Sequence, residues 1–309
     1  MAYRRALVPL DGSDLARSAL PLATSLSRLY DGEVSLLSVI GDDDGPSAAN
    51  GGGGSGQDAV AQAVTPARAQ AQEYLRGVAS EVRAQGITVS ETIRVGDPAT
   101  EIVAMSRERS ADVIVMATRG RSGLVRGLLG SVTDRVIHSS STPVLMVPAQ
   151  EHAVIADRWL PRNVIVPLDG SELAEVALAH AESLCGAAGA GLMLLRAVSF
   201  PAVYATDPYD GTSAATIGMI EAEQDETRQY LAAIAGRASA GGCKAGVRIG
   251  TGHPRSEIVA LAEELPDAIV VMTTRGATGL TRWVVGSVAD TVIRSAPVPV
   301  LVIPPQIGL

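Results

Sequence analysis

The sequence is poor in large aromatics, with one Phe and two Trp in 309 residues, and it holds only two cysteines, Cys185 and Cys243. Neither cysteine belongs to a CxxC pair or to a metal-ligand spacing, so a reducing, cytoplasmic setting is expected. No run of about 18 apolar residues occurs, so no membrane-spanning helix is expected. The Met1–Leu10 segment enters a strand and a turn without the apolar stretch of a secretory leader. Basic charge is also short: 25 Lys and Arg stand against 33 Asp and Glu, a formal net charge of −8. Long-range repulsion then argues against nucleic acid or an anionic membrane as a partner. A small local anion site remains open, because oriented N–H groups rather than net charge decide it.

What the chain has in quantity is aliphatic side chains, which bring the hydrophobic fraction to 47%. That is enough for two cores, and the length suits two domains of about 150 residues each. Internal repetition assigns them. Ala6-Leu7-Val8-Pro9-Leu10-Asp11-Gly12-Ser13 returns as Val164-Ile165-Val166-Pro167-Leu168-Asp169-Gly170-Ser171. Pro143-Val144-Leu145-Met146-Val147-Pro148 returns as Pro299-Val300-Leu301-Val302-Ile303-Pro304. Between Val113–Pro148 and Ile269–Pro304 about half the positions are identical, and the period is far too long for a solenoid. The expected division is a first domain over 1–149, a linker over 150–161 and a second domain over 162–309.

Within each repeat, short aliphatic runs alternate with helical periodicity. In the first, strands are expected at Arg5–Leu10, Val34–Ile40, Ile87–Val95, Asp112–Ala117 and Pro143–Val147. One helix is expected from Ser13, its N-cap, through Leu15, Ala19, Leu22, Leu26 and Leu29 to a break at Asp31-Gly32. Further helices are expected over Ala59–Ala84, from Pro98 to about Arg109, and over Ser131–Ser139. Residues 41–57, with Asp42-Asp43-Asp44 and Gly51–Gly54, cannot pack a core and read as a flexible loop, with a lid as the functional alternative. The corresponding stretch of repeat two carries Phe200, Tyr204 and Tyr209. Alternation of this kind means an α/β fold: two tandem Rossmann-like domains, each a five-stranded parallel sheet with helices on both faces. Ligands of such sheets sit beyond the carboxyl ends of the strands, where strand order reverses, and the unusual residues of this chain fall at those ends.

The most informative of them are Gly130-Ser131 and, in the second copy, Gly286-Ser287. Each pair opens a helix whose first N–H groups lack intrahelical partners and carry partial positive charge. Gly120 and Gly123 would let the preceding loop fold over the same anion, with Arg119, Arg121 and Arg126 nearby. A lone Gly-Ser is better read as a helix cap; two copies in step at the carboxyl edge point to an anion site. Asp11, and Asp169 in the second repeat, end the first strand in a Leu-Asp-Gly-Ser turn. That carboxylate can accept ribose hydroxyls or close an Asx-turn on its own backbone, and the two roles are compatible. The histidines, His138, His152, His180 and His253, are scattered. No Gly-x-x-x-x-Gly-Lys-Ser/Thr loop is present and no base is evident in the motif, so fast phosphoryl transfer is not expected.

Val-Pro-Leu-Asp-Gly-Ser at Val8–Ser13, Val-Gly-Asp-Pro-Ala at Val95–Ala99, and Met-Ala-Thr-Arg-Gly-Arg-Ser-Gly at Met116–Gly123 running on to Leu-Gly-Ser-Val and Pro-Val-Leu-Met-Val resemble the universal stress protein family. The resemblance covers both repeats and implies a tandem, ATP-binding form. The family's nucleotide-binding pattern is Gly-x2-Gly-x9-Gly-Ser/Thr. Repeat one matches it at Gly120 and Gly130-Ser131 with Ala117 in first place; repeat two matches at Gly276 and Gly286-Ser287 with the larger, β-branched Thr273. By resemblance, backbone near Pro9 and Val39 (Pro167 and Ala197) would meet adenine, and Asp11 and Asp169 would meet ribose. Met116 and Met272 would lie beside the sugar. Gly120, Gly130, Ser131 and Val132, with Gly276, Gly286, Ser287 and Val288, would hold phosphates. The implied ligand is ATP, with or without Mg2+, in a regulatory or stress-adaptation module that is at most a slow ATPase. A true ATP hydrolase or adenylyl-transfer enzyme, and a structural module with a decayed second site, are the alternatives. The resemblance also implies that the two apolar fifth strands pair with each other within the chain, with a further homodimer open.

Overall fold

The computed structural model describes residues 1–41, 56–118, 129–148, 159–198, 214–265, 267–274 and 285–305. Outside that range lie Arg119, Gly120, Arg121, Gly123, Arg126, Gly276, the aromatic trio Phe200, Tyr204 and Tyr209, His152 and most of the expected linker and glycine loop. The chain divides into two compact units, Ala2–Trp159 and Leu160–Leu309, the latter with Met1.

The first unit runs β1 (Arg5–Pro9), α1 (Asp14–Arg17), α2 (Leu20–Tyr30), β2 (Glu33–Ile40), α3 (Gly56–Ala84), β3 (Thr88–Val95), α4 (Pro98–Glu108), β4 (Val113–Ala117), α5 (Ser131–Ser139) and β5 (Val144–Val147). Its strands lie in the order β3-β2-β1-β4-β5, and each neighbouring pair is parallel. The second unit runs β6 (Asn163–Pro167), α6 (Glu172–Ala188), β7 (Gly191–Ala197), α7 (Ala214–Ala240), β8 (Lys244–Gly250), α8 (Pro254–Glu264), β9 (Ala268–Thr273), α9 (Ser287–Ser295) and β10 (Val300–Ile303). Its order is β10-β9-β6-β7-β8, again parallel throughout. Every residue of β4 and of β9 is buried. Successive strand residues face opposite ways, so helices must cover both faces. The outer strands β3 and β8 are partly exposed along most of their length and carry the polar residues.

One expected element breaks in two. Ser13 does cap a helix, its Oγ accepting from Ala16 N–H at 3.1 Å, but that helix stops at Arg17 and a second begins at Leu20. Proline in the first turn of α2, Pro21, has no N–H for the preceding turn and its ring excludes the carbonyl behind it. Ser18 and Ala19 instead turn back on Leu15 and Ala16 through bonds of 3.2 Å each. The second unit supplies the control: Ala179 stands at the matching place, and α6 is continuous from Glu172 to Ala188.

The core is aliphatic, built from residues such as Leu7, Leu22, Leu36, Ile114, Ile165, Leu184 and Leu192. The two cysteines, far apart in sequence, come together: Cys185 on α6 and Cys243 ahead of β8 are both buried as free thiols. They lie close enough to hydrogen-bond, and burial first of all pushes the Cys185 thiol up to about 12, the signature of an inert sulfur.

His180, on α6, is 3% exposed. Burial, then the positive Met1 amino group, lower its pKa from 6.5 to about 4. A histidine held below its unfolded value favours the native state above that value and opposes it as pH falls from 6.5 to about 4. Unfolding by urea is therefore expected to need less denaturant at about pH 5 than at about pH 7.5, and His180→Leu is expected to narrow that gap. An unchanged gap in the variant would assign the acid sensitivity to other groups.

Candidate functional site

In each unit the chain builds one side of its sheet, returns to the middle and then builds the other, so strand order reverses between β1 and β4 and between β6 and β9. Connections leave these neighbours in opposite directions, and a crevice opens at their carboxyl ends. Into it the first unit puts the β1 turn, the end of β4 and the start of α5.

The β1 turn is set by Asp11. Its Oδ1 accepts from the Ser13 N–H at 2.9 Å and from the Ser13 hydroxyl at 2.5 Å. Gly12 between them has φ of 83°, a left-handed conformation that glycine adopts without strain. The second unit repeats this, with Asp169 Oδ1 accepting from Ser171 N–H at 3.0 Å and its hydroxyl at 2.6 Å, around Gly170 at φ of 88°. The geometry contains the Asx-turn in both copies.

Helix starts differ in their caps, and those of α2 and α8, at Ala19 and His253, lack a side-chain cap bond. At α1, α4 and α6 the N-cap side chains of Ser13, Asp97 and Ser171 satisfy a backbone N–H. At α5 and α9 the N-cap is glycine, Gly130 and Gly286, and no side chain caps the helix. Gly130 is anchored through its own N–H to Thr118 O at 2.9 Å, and Gly286 likewise to Thr274 O at 2.8 Å. Among the described residues no cap side chain therefore occupies the first-turn N–H groups of these two helices, whose starts line the crevice. Thr133 adds a tie absent from the second copy, its Oγ1 donating to Ala117 O at 3.2 Å; Ala289 stands in its place.

These parts enclose a cavity of about 540 Å3. Of the residues expected in the first site, Pro9, Asp11, Val39, Met116, Ala117, Gly130, Ser131 and Val132 all line it; Gly120 is outside the described residues. The second unit has a cavity of about 270 Å3, lined by Pro167, Asp169, Ala197, Met272, Thr273, Gly286, Ser287 and Val288; Gly276 is outside the described residues. None of the described histidines lines either cavity. His138 lies on α5 with Nδ1 2.7 Å from Asp134 O, and His253 is the N-cap of α8 without a side-chain cap bond.

Sequence reasoning missed one wall. Ala67, Gln70, Ala71 and Tyr74 of α3 line the first cavity, and nothing in their spacing says which crevice this helix covers. Burial is the main force raising the Tyr74 pKa, opposed by Arg17 and reinforced by Asp11 and Asp14, so the phenol stands close to the acidic turn. Arg17 also pairs with Glu81, tying α1 to α3.

Among the described residues no helix is long and apolar enough to cross a membrane, and no group of three or more His, Cys, Asp and Glu is placed to hold a metal ion.

The sequence model of the universal stress protein family matches residues 2–148 and again 161–304. A universal stress protein of Mycolicibacterium smegmatis is 28% identical over 305 residues, covering 97% of each chain. One of Methanocaldococcus jannaschii is 34% identical over 145 residues, 47% of this chain and 82% of its own length. The crystal structure of a universal stress protein from Archaeoglobus fulgidus superposes with a TM-score of 0.72 at 26% identity, covering 98% of both chains. With the doubled crevice, the glycine-capped helices and a family match over both units, the chain belongs to the universal stress protein family, as a tandem of two such domains.

Proposed function

We propose that the protein is an adenine-nucleotide-binding regulatory or stress-adaptation module whose ligand is ATP, hydrolysed slowly or not at all. The observation that supports it most directly is the joint lining of one 540 Å3 cavity by the Asp11 turn, the end of β4 and the uncapped start of α5. That volume lies within the range of small-ligand pockets, and its chemistry suits the three parts of a nucleotide. Backbone beside Pro9 and Val39 offers amide groups to a base at the aliphatic side of the crevice. Asp11 offers a carboxylate to sugar hydroxyls, and Met116 packs against the sugar. Gly130, Ser131 and Val132 present N–H groups, and Ser131 a hydroxyl, to phosphate oxygens; a Cβ at Gly130 would intrude where an anion must approach. In this reading Gly120 folds over the phosphates from the preceding loop, and Pro167, Asp169, Ala197, Met272, Thr273, Gly276, Gly286, Ser287 and Val288 are the second-site counterparts.

The slow-turnover part of the proposal rests on chemistry. In-line attack on a phosphoryl group needs a positioned water, a base and charge stabilisation in the transition state. The chain has no P-loop lysine motif, and the His138 ring is engaged with the backbone of its own helix. Ordering of the crevice loops on binding would then be the output, by shifting the population of a partner-binding surface.

Gly130→Val is expected to abolish ATP-dependent thermal stabilisation arising from the first site while leaving the far-ultraviolet circular dichroism native; an undiminished shift would remove α5 from the phosphate site. Turnover of labelled ATP by the purified chain is expected to stay well below about 1 s⁻¹. Sustained rates above that would favour the hydrolase reading instead.

A further inference from the structure

The two cavities differ most on one side. The first reaches into a chamber walled by Gly12, Ser38, Gln70, Ala71 and Tyr74. In the second unit the corresponding residues are Gly170, Arg196, Glu226, Thr227 and Tyr230, and none of them lines the cavity, whose volume is about 270 Å3 against about 540 Å3. Sheet register fixes the correspondence. Pro9 pairs with Leu37 and Pro167 with Leu195, so Ser38 and Arg196 are each the next residue along; Ser38 then faces Ile93 as Arg196 faces Ile249. Tyr74 and Tyr230 each precede a buried leucine, Leu75 and Leu231, on helices that end at Ala84 and Ala240.

Arg196 fills the missing chamber. Its guanidinium carbon lies 5.2 Å from the centroid of the Tyr230 ring. A Cβ placed on Gly170 would meet Nη1 at 3.2 Å, Cζ at 3.4 Å and Nη2 at 3.5 Å. The guanidinium is therefore held between α7 and the Asp169-Gly170 turn, the space that Ser38 leaves open beside Gly12 and Tyr74. A cation over an aromatic face is a contact that arginine makes more often than lysine.

The surroundings have changed to match. Tyr230 donates its hydroxyl to Glu175 Oε1 at 3.1 Å, and Arg237 donates to Glu175 Oε2 at 3.2 Å. In the first unit Arg17 stands where Glu175 does and Glu81 where Arg237 does, so the same tie between helices exists with its charges exchanged. An arginine beside Tyr230 thus has a carboxylate close by, whereas one beside Tyr74 would meet the like charge of Arg17. The neutral helix residues Ala67 and Gln70 of the first wall are Glu223 and Glu226 in the second, where both are exposed.

We infer that Arg196 is the residue that separates the specificity of the two sites: stacked on Tyr230, it takes the nucleoside-side chamber, so ATP loads the first domain and is excluded from the second. The inference rests on the adenine-nucleotide reading of the first cavity. Ser38 is its counterpart, a small side chain that keeps the first chamber open.

Equilibrium dialysis of the full chain with labelled ATP tests it. One ATP per chain is expected for the unaltered protein, two for Arg196→Ser, and at least a tenfold loss of first-site affinity for Ser38→Arg. Two sites of like affinity in the unaltered protein would overturn the inference, as would an unchanged stoichiometry in natively folded Arg196→Ser. Should Arg196→Ser fail to fold by circular dichroism, Arg196→Ala is measured in its place, and one ATP per natively folded chain there overturns the inference. If the unaltered chain takes no ATP while Arg196→Ser takes one, the reading of the first cavity fails and the role of Arg196 stands. If neither takes any, both fail.

Discussion

Everything at the candidate site follows from one constraint on parallel sheets. A chain that lays down β1, β2 and β3 in one direction and then returns for β4 and β5 cannot fill the carboxyl edge between β1 and β4, because the connections leave it on opposite sides. The crevice is a by-product of topology, and it comes furnished: a turn follows β1 and a helix start follows β4. Glycine at the α5 and α9 N-caps supplies no side-chain cap bond, where serine or aspartate at α1, α4 and α6 accepts from a first-turn N–H. The same backbone physics that caps a helix elsewhere creates an anion site here by the omission of a side chain.

Duplication has kept the scaffold and altered its furniture. The Asx-turns of Asp11 and Asp169 agree within about 0.1 Å in their paired bonds, and the helix starts agree in both the cap residue and the anchor to the preceding strand. Divergence falls in the wall made by the long helix and the end of the neighbouring strand, β2 or β7. There the first domain has Ser38, Ala67, Gln70 and Ala71, and the second has Arg196, Glu223, Glu226 and Thr227. The exchanged ion pairs Arg17–Glu81 and Glu175–Arg237 preserve the attachment of that helix while reversing the field next to the tyrosine. Surface pairs of this kind contribute little stability; their placement matters more for which side chain is welcome in the chamber between them.

Much of the fold was legible because its signals are local. Aliphatic runs mark β4 and β9, Asp-Gly-Ser marks the first turn, and Gly-Ser marks α5 and α9, each with a physical cause confined to a few residues. The break between α1 and α2 had a local cause too, Pro21, but the apolar spacing from Leu15 to Leu29 runs across it unbroken, and periodicity outweighed the proline. The adjacency of Cys185 and Cys243 had no local cause at all. It depends on how α6 packs beside the turn into β8.

By itself the sequence determined the duplicated α/β architecture, the order of its elements and the residues delivered to the crevice by β1, β4 and α5, because strand ends and helix caps are written in consecutive residues. Only the tertiary structure decided how far each crevice extends. The α3 wall, the volume left beside Ser38 and the lodging of Arg196 between Tyr230 and Gly170 all depend on elements brought together across long stretches of chain. A side chain's reach is fixed by its covalent structure, but the space it fills is fixed by what packs around it.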